Sequence, residues 1–330
     1  MSARIIPRLL TRSAFRYAPP RSLGIRTSST ARHNSNMSTY SAAPSWSRLI
    51  RFIAQEDGQE HMGEPVDSDL DVGIADPSSI QVHKLSGAHP WDAKKESSSS
   101  TLTVKELLCP LKKDEVNTIR CIGLNYKDHA EEAKIPLPEV ITLFHKPRTA
   151  LTGPGKVYIP KCVQDESSDY ESELCVVIGQ DCKDVPEDRA LDYVLAYCSS
   201  NDISSRKAQF AQSQWCRSKG FDWACPIGPC LVSPARFPKD KGSPIVQVTG
   251  KLNGKVRQSA PTSNLVFSVA QIVSFLSQGT TLERGSIILT GTPAGVGTFD
   301  KPMTYLKDGN VFEVEISGGL GTLRNTIVYE

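Results

Sequence analysis

The sequence predicts an α+β, mostly β protein, and three observations carry that expectation. From Asn117 onward, short apolar and β-branched runs recur between Gly, Pro and Asp punctuation. Asn253-Gly254 separates two such runs, Ile245 to Leu252 and Lys255 to Gln258, and Asn-Gly between strands is the strongest short-range hairpin signal. Helical patterns fit only three longer windows, Lys127 to Lys134, Ser204 to Gln214 and Ser268 to Gln278. Many strands with few helices suggest a rolled sheet. No repeat with a period of 20–50 residues is present.

Taken in order, the chain opens on a cationic leader. Residues 1–55 hold nine arginines, no lysine and no acidic residue, and Arg4, Arg8 and Arg12 recur at helical spacing among Ile5, Ile6, Leu9 and Leu10. That is the composition of a mitochondrial transit peptide, expected over residues 1–36, and it points to the matrix. A small N-terminal module is expected over 43–112. In it, Trp46 to Ala54 reads as a strand, the Gly- and Asp-rich stretch that follows as turns, and Val104 to Leu108 as a short helix. Glu96 to Thr101 is a polar, serine-rich connection.

The body expected over 113–330 carries the remaining strands. They fall at Ile119 to Leu124, Ile141 to Phe144, Glu173 to Ile178, Val194 to Cys198, the Asn-Gly hairpin, Ile287 to Thr290 and Val311 to Ile316. In the last, Phe312, Val314 and Ile316 alternate with Glu313 and Glu315, the pattern of a half-buried strand.

Composition narrows the function. A chain of 330 residues, 39% apolar and 22% charged, can bury a substantial core without disulfides or a structural metal. No window approaches 18 uninterrupted apolar residues, so no membrane-spanning helix is expected. The net charge of +2 hides an asymmetry, because residues 56–330 carry 29 basic and 36 acidic side chains, a net of −7. A body of that sign is poorly suited to nucleic acid. Nine cysteines, all from Cys109 onward and none in a CxxC pair, fit reduced structural thiols in an intracellular compartment better than zinc.

The chemistry concentrates in Asp169-Tyr-Glu-Ser-Glu-Leu-Cys-Val-Val-Ile178. On a strand, alternate residues share a face, so Glu171 and Glu173 point the same way. Two carboxylates so placed repel unless a cation sits between them. The apolar run after Glu173 leads into a core, where an unpaired carboxylate is costly. A hard divalent cation with oxygen ligands meets both demands. Asp202 lies at a strand-to-helix junction, where it either caps the following helix or serves as a third ligand. Arg206 and Gln209, three residues apart, are neighbours on that helix, and Arg206 is suited to holding a substrate carboxylate bidentately.

Six ordered motifs extend the reading: GLNYKDHAEE at 123–132, LFHKPRTALTGPG at 143–155, DYESELCVVIG at 169–179, SNDISSRKAQ at 200–209, SKGFDWACPIGP at 218–229 and LTGTPAGVG at 289–297. On them, the chain from about Thr118 to Val328 resembles the fumarylacetoacetate hydrolase family. The resemblance implies a rolled mixed β-sheet catalytic domain, a homodimer, and Mg²⁺ or Mn²⁺ held by Glu171, Glu173 and Asp202. It implies Lys219 as the active-site lysine, and His129 with Glu132 as the pair that activates water in hydrolytic members. Thr292, in Thr290-Gly-Thr-Pro293, matches a substrate-facing loop that is otherwise an ordinary Gly-Pro turn. Arg206 and Gln209 complete the substrate contacts.

Several flanking residues are read without a role in the chemistry. Lys146 and Arg148 read equally as suppliers of positive potential and as surface residues. Tyr126 reads as packing. Gly295-Val296-Gly297 is no phosphate loop, since no Walker lysine follows. Residues 128–138, with two prolines and several charges, read as a lid.

The segment FDKPMTYLKDGNVFEVEI at 299–316 resembles a mitochondrial subgroup linked to oxaloacetate tautomerisation. The expectation is therefore a metal-dependent enzyme that works on 2-oxo and β-dicarbonyl acids through an enolate, first as an oxaloacetate enol–keto tautomerase. A C–C hydrolase of acylpyruvate or fumarylacetoacetate type, or an oxaloacetate decarboxylase, is the alternative. A non-catalytic scaffold on the same fold would have lost a ligand or the lysine, and Glu171, Glu173, Asp202 and Lys219 are all present.

Overall fold

In the computed structural model, residues 43–96, 101–238 and 242–330 are described. The expected transit peptide and the centre of the serine-rich connection lie outside them. Strands Ser172–Ile178 and Val194–Asn201 are buried at every position, and a strand buried along its whole length needs protein on both faces. They form the middle of the principal sheet. Its order is Glu60–Pro65, Gln81–Ser86, Thr101–Leu107, Arg48–Ala54, Cys225–Val232, Val194–Asn201, Ser172–Ile178, Ile287–Leu289, Ile119–Gly123 and Thr142–Lys146. Neighbours along this order run antiparallel except Ile287–Leu289 with Ile119–Gly123, which are parallel. The fold is mostly β with mixed sheets, as expected.

A second sheet orders Lys255–Pro261, Gln247–Leu252, Val311–Ile316, Gly321–Tyr329 and Gly155–Ile159. Its first two strands are the predicted hairpin, and both turn residues adopt positive φ (Asn253 51°, Gly254 75°), as a tight primed turn requires. Phe312, Val314 and Ile316 are buried while Glu313 and Glu315 are half exposed, so the sheet turns one face inward. The two sheets meet where Tyr170 stacks on Phe312 with ring centroids 4.5 Å apart. Ser199 Oγ also donates to Gly321 O at 3.1 Å. Helix Val269–Ser277 starts at a capping box between Ser268 and Gln271. Arg120, from the principal sheet, donates to Leu276 O and Thr281 O and so satisfies carbonyls where that helix ends.

Strand Arg48–Ala54 joins the N-terminal residues to the body, because it pairs with Glu60–Pro65 and Thr101–Leu107 and, through Arg48 and Leu49, with Val232 and Leu231. Three expectations in this region and beyond are corrected. Val104–Leu108 is not a helix but part of strand Thr101–Leu107, which pairs on both edges. Thr101, Thr103 and Val104 are β-branched and favour a pleated surface, and the run is too short for apolar periodicity to separate the two states. Residues 55–100 hold strands Glu60–Pro65 and Gln81–Ser86 where turns were expected. The helix expected over 204–214 is only Arg206–Phe210, because Ser204–Ser205 is taken into a short ladder with Ser168–Asp169. A separate short helix, Cys216–Lys219, follows.

Among the described residues no helix is long and apolar enough to cross a membrane. All nine cysteines are free.

Candidate active site

The antiparallel register Ser172↔Asn201 and Glu173↔Ser200 brings the end of one central strand beside the end of the next. Asp202 N donates to Glu171 O at 2.9 Å, and Glu171 N donates to Asn201 Oδ1 at 3.0 Å, which fixes both chain ends. Glu171, Glu173 and Asp202 therefore converge, with one carboxylate oxygen from each within 4.8 Å of the others, and all three are buried. Asp202 does not cap the helix it precedes, since Ser205 occupies the N-cap.

Three cations surround the cluster. Lys219 Nζ lies 2.8 Å from Glu171 Oε2 and 2.9 Å from Asp202 Oδ2. Arg206 Nη1 lies 2.7 Å from Glu171 Oε1. Lys146, one of whose two readings was a surface residue, is fully buried, and its Nζ stands 2.6 Å from Asp202 Oδ1. Its protons go elsewhere, to Ala224 O at 2.8 Å, Ile203 O at 3.3 Å and the carbonyl of Lys219. Asp202 Oδ1 is thus a buried acceptor in charge contact with an ammonium but without a hydrogen bond. Arg148, by contrast, is exposed.

The electrostatics follow from this crowding. Burial opposes ionisation of Glu171, but Lys219 and Arg206 outweigh it and hold the carboxyl at about 2. Burial likewise opposes the charge on Lys219, and Asp202 with Glu171 overcome it and raise its pKa. Among the described residues no cation is in direct contact with Glu173. Burial first, then Asp202 and Glu171, push its pKa well above the ordinary carboxylate range, against the charge of Lys219 and, after it, the 2.6 Å bond from Gly291 N to its Oε2. Counting Asp169 beside Arg206, four buried carboxylates face three buried cations. An oxygen-only donor set with a surplus negative charge fits a hard divalent cation.

Of these groups Glu171, Arg206 and Lys219 open on a cavity of about 110 Å³. Glu171, Arg206, Lys219, Gln209, Thr292 and His129 line it, together with apolar walls that include Ile122, Phe144, Trp215, Phe210 and Phe299. His129 and Glu132 lie on helix Lys127–Ala133, and His129 Nδ1 is 3.1 Å from Glu132 Oε2. Glu132 Oε1 accepts from Gly295 N at 2.9 Å, so the carboxylate is held from two sides. Among the described residues, His129 Nε2 takes no protein partner. Tyr126, at the start of the helix, is buried, as its packing role required.

Two expected roles change in detail. Arg206 does not offer a free bidentate fork. Its Nε donates to Asp169 Oδ2 at 2.8 Å and its Nη1 to Gln209 Oε1 at 2.9 Å, which leaves buried Nη2 as the one unpartnered nitrogen. The Thr292 hydroxyl is also committed, accepting from Gln258 Nε2 at 2.7 Å and donating to Ser172 O at 3.1 Å. Gln258, from the second sheet, and Asp169 carry no role in the sequence reading, although Asp169 stands at the head of the acidic motif. Residues 128–138 contribute His129, Ala133 and Ile135 to the cavity wall.

Residues 118–328 match the family model described as fumarylacetoacetate (FAA) hydrolase C-terminal. A caffeoylpyruvate hydrolase of Neonothopanus nambi is 46% identical over 292 residues, covering 86% of this chain and 94% of that protein. A fumarylacetoacetate hydrolase domain-containing protein 2 homolog of Dictyostelium discoideum is 42% identical over 64% of this chain and 72% of its own length. The crystal structure of a 2-hydroxyhepta-2,4-diene-1,7-dioate isomerase from Mycobacterium marinum superimposes with a TM-score of 0.70 at 30% identity, covering 86% of this chain and 99% of that one. Hydrolases and isomerases thus share this chain's architecture.

Proposed function

We propose that this chain, which belongs to the fumarylacetoacetate hydrolase family, is a divalent-metal-dependent hydrolase of acylpyruvate-type 2,4-dioxo acids. The observation that carries the reading is one cavity lined by Glu171, Arg206 and Lys219 of the buried carboxylate–cation cluster, a histidine whose Nδ1 meets a carboxylate, and apolar walls. Glu171, Glu173 and Asp202 would hold Mg²⁺ or Mn²⁺. When bound, that ion supplies Lewis acidity to a 2-oxo group and stabilises negative charge on its oxygen.

The chain's own residues account for the rest. Arg206 lines the cavity and has one nitrogen, Nη2, without a partner, so its guanidinium is the group available to a substrate carboxylate. The apolar walls accommodate the acyl substituent beyond C4. With Nδ1–H directed at Glu132, His129 presents the basic lone pair of Nε2, which can take a proton from water. The hydroxide equivalent adds to the C4 carbonyl, the C3–C4 bond breaks, and its electron pair leaves as the enolate of pyruvate. Protonation at C3 by the His129 imidazolium or by Lys219 releases pyruvate and a carboxylic acid, so atoms and charge balance.

A second reading, oxaloacetate enol–keto tautomerisation, rests on Lys219. Its ammonium stands at the cluster and could protonate the enol at C3 while the enol O–H proton leaves to solvent, without any water being activated. Two assays on metal-supplemented protein separate the readings: ultraviolet loss of acetylpyruvate, and stopped-flow loss of enol-oxaloacetate absorbance. Metal-dependent cleavage of acetylpyruvate that vanishes in Glu171→Ala is expected. Acceleration of oxaloacetate ketonisation alone would replace the first reading by the second, and inactivity in both would sink the enolate chemistry. We also propose a homodimer in the mitochondrial matrix, on the strength of the family and the arginine-rich leader; light scattering and organelle fractionation test the two halves.

A further inference from the structure

We infer that Asp169 is a positioning residue that sets both the carboxylate-binding guanidinium of Arg206 and the facing wall of the cavity. Asp169 is fully buried, and both of its oxygens are saturated. Oδ1 accepts from Tyr170 N at 2.9 Å and Gly297 N at 2.8 Å, and Oδ2 accepts from Thr298 N at 3.0 Å and Arg206 Nε at 2.8 Å. The short ladder Ser168–Asp169 with Ser204–Ser205 delivers Arg206 to it directly. On the other side, the turn Gly297–Phe299 presents Thr298 and Phe299 to the cavity. Gly297 is required there, because a Cβ would collide with Thr304 O and come within 2.7 Å of Asp169 Oδ1.

The function of this arrangement lies in a competition for Arg206. The guanidinium sits between two carboxylates, Asp169 at 2.8 Å and Glu171 at 2.7 Å. Without Asp169 it would turn its fork onto Glu171, a pairing that favours two parallel bonds. That movement would commit Nη2 to Glu171 and leave no guanidinium nitrogen free for a ligand. Asp169 holds Nε, so one nitrogen is left for a ligand. The inference rests on the reading of the cavity as a 2-oxo acid site.

The test uses oxalate, a dianion that mimics a 2-oxo carboxylate, titrated calorimetrically into the Mg²⁺-loaded full chain. In Asp169→Asn, whichever way the amide faces, its NH₂ opposes two donors and two bonds are lost. Oxalate affinity is expected to fall about 10- to 100-fold, the range of one charge-assisted bond. Arg206→Gln should lose a similar factor, and the double variant should lose no more than Arg206→Gln alone, since Asp169 acts through Arg206. Asp169→Glu, which keeps the charge, should lose less than Asp169→Asn, so the inference remains testable if the amide variant folds poorly. KM for a 2,4-dioxo acid should rise more than kcat falls. Independent, additive losses, or wild-type affinity in Asp169→Asn, would overturn the inference. Failure of the wild type to bind oxalate would instead overturn the 2-oxo acid reading.

Discussion

Replacing Lys146 by Met tests whether the carboxylate cluster is held by buried charge. The side chain is fully buried at the end of strand Thr142–Lys146, and Met fills nearly the same space, so no large cavity is created. What is lost is electrostatic and polar: the 2.6 Å contact with Asp202, and donors to the carbonyls of Ile203, Lys219 and Ala224. Removing one member of a buried ion pair costs about 3–5 kcal/mol, because the other is left charged and poorly solvated. For a chain of this size each kcal/mol moves the melting temperature by about 2 °C, so a drop of about 6–10 °C is expected in chelator-treated protein. Divalent metal should recover more stability in the variant than in the wild type, since the ion replaces a missing positive charge beside Asp202. Circular-dichroism melts with EDTA and with Mg²⁺ measure both quantities. A metal-free variant melting within 2 °C of the wild type would refute the assignment of Lys146 as a structural counter-charge, and so would an equal metal-induced gain in both proteins.

Two further outcomes follow from the geometry. Glu132→Gln keeps the size of the side chain but removes the charge that directs Nδ1–H of His129; acylpyruvate cleavage should fall by about 10²- to 10⁴-fold with oxaloacetate tautomerisation changed much less, and equal losses in the two assays would remove His129 from water activation. Burial raises the thiols of Cys121 and Cys225 well above their ordinary value and that of Cys109 to about 12, and a hydrogen bond with Cys198, then burial, raises that of Cys175 likewise. A thiol stays protonated and unreactive below its pKa, so at pH 8 iodoacetamide should label native protein at exposed Cys162 and Cys216 and reach those four only on unfolding, as read by peptide mass spectrometry.

How much of this could be read from residues alone depends on the range of the interaction involved. Glu171 and Glu173 converge because alternation along a strand is local, and Asp202 joins them because its strand pairs antiparallel with theirs. The Asn-Gly hairpin and the alternation of Phe312, Val314 and Ile316 are equally local, and both are found where expected. The N-terminal strands were hidden for the opposite reason. Glu60–Pro65 contains a glycine and ends on a proline, and it is held by pairing with Arg48–Ala54 and Gln81–Ser86 rather than by its own propensity. The helix expected over 204–214 was cut short at its start by Ser168–Asp169, more than thirty residues upstream, which no window of local periodicity spans.

The cations of the site divide in the same way. Lys219, Arg206 and Lys146 all stand within motifs, but Lys146 carries no local mark of burial, and its two equal readings, source of positive potential and surface residue, are decided only when the strand beside it places Asp202 against its ammonium. Asp169 is the converse case, an acidic residue beside a metal-ligand motif whose partners Gly297 and Thr298 lie 128 and 129 residues away. Asp169 was given no role and Lys146 was left between two, because their work is to balance other charges, and charge balance in a buried cluster is a property of the whole set. With Lys146 and Asp169 included, three cations nearly neutralise four carboxylates, and a divalent ion would turn the cluster net positive. That sign is what an anionic 2-oxo acid needs in order to leave water for a buried cavity. Lys146 and Asp169 cancel in that sum, so what they change is placement: Asp202 gains an ammonium 2.6 Å from its Oδ1, and Arg206 gains a buried carboxylate that holds its Nε.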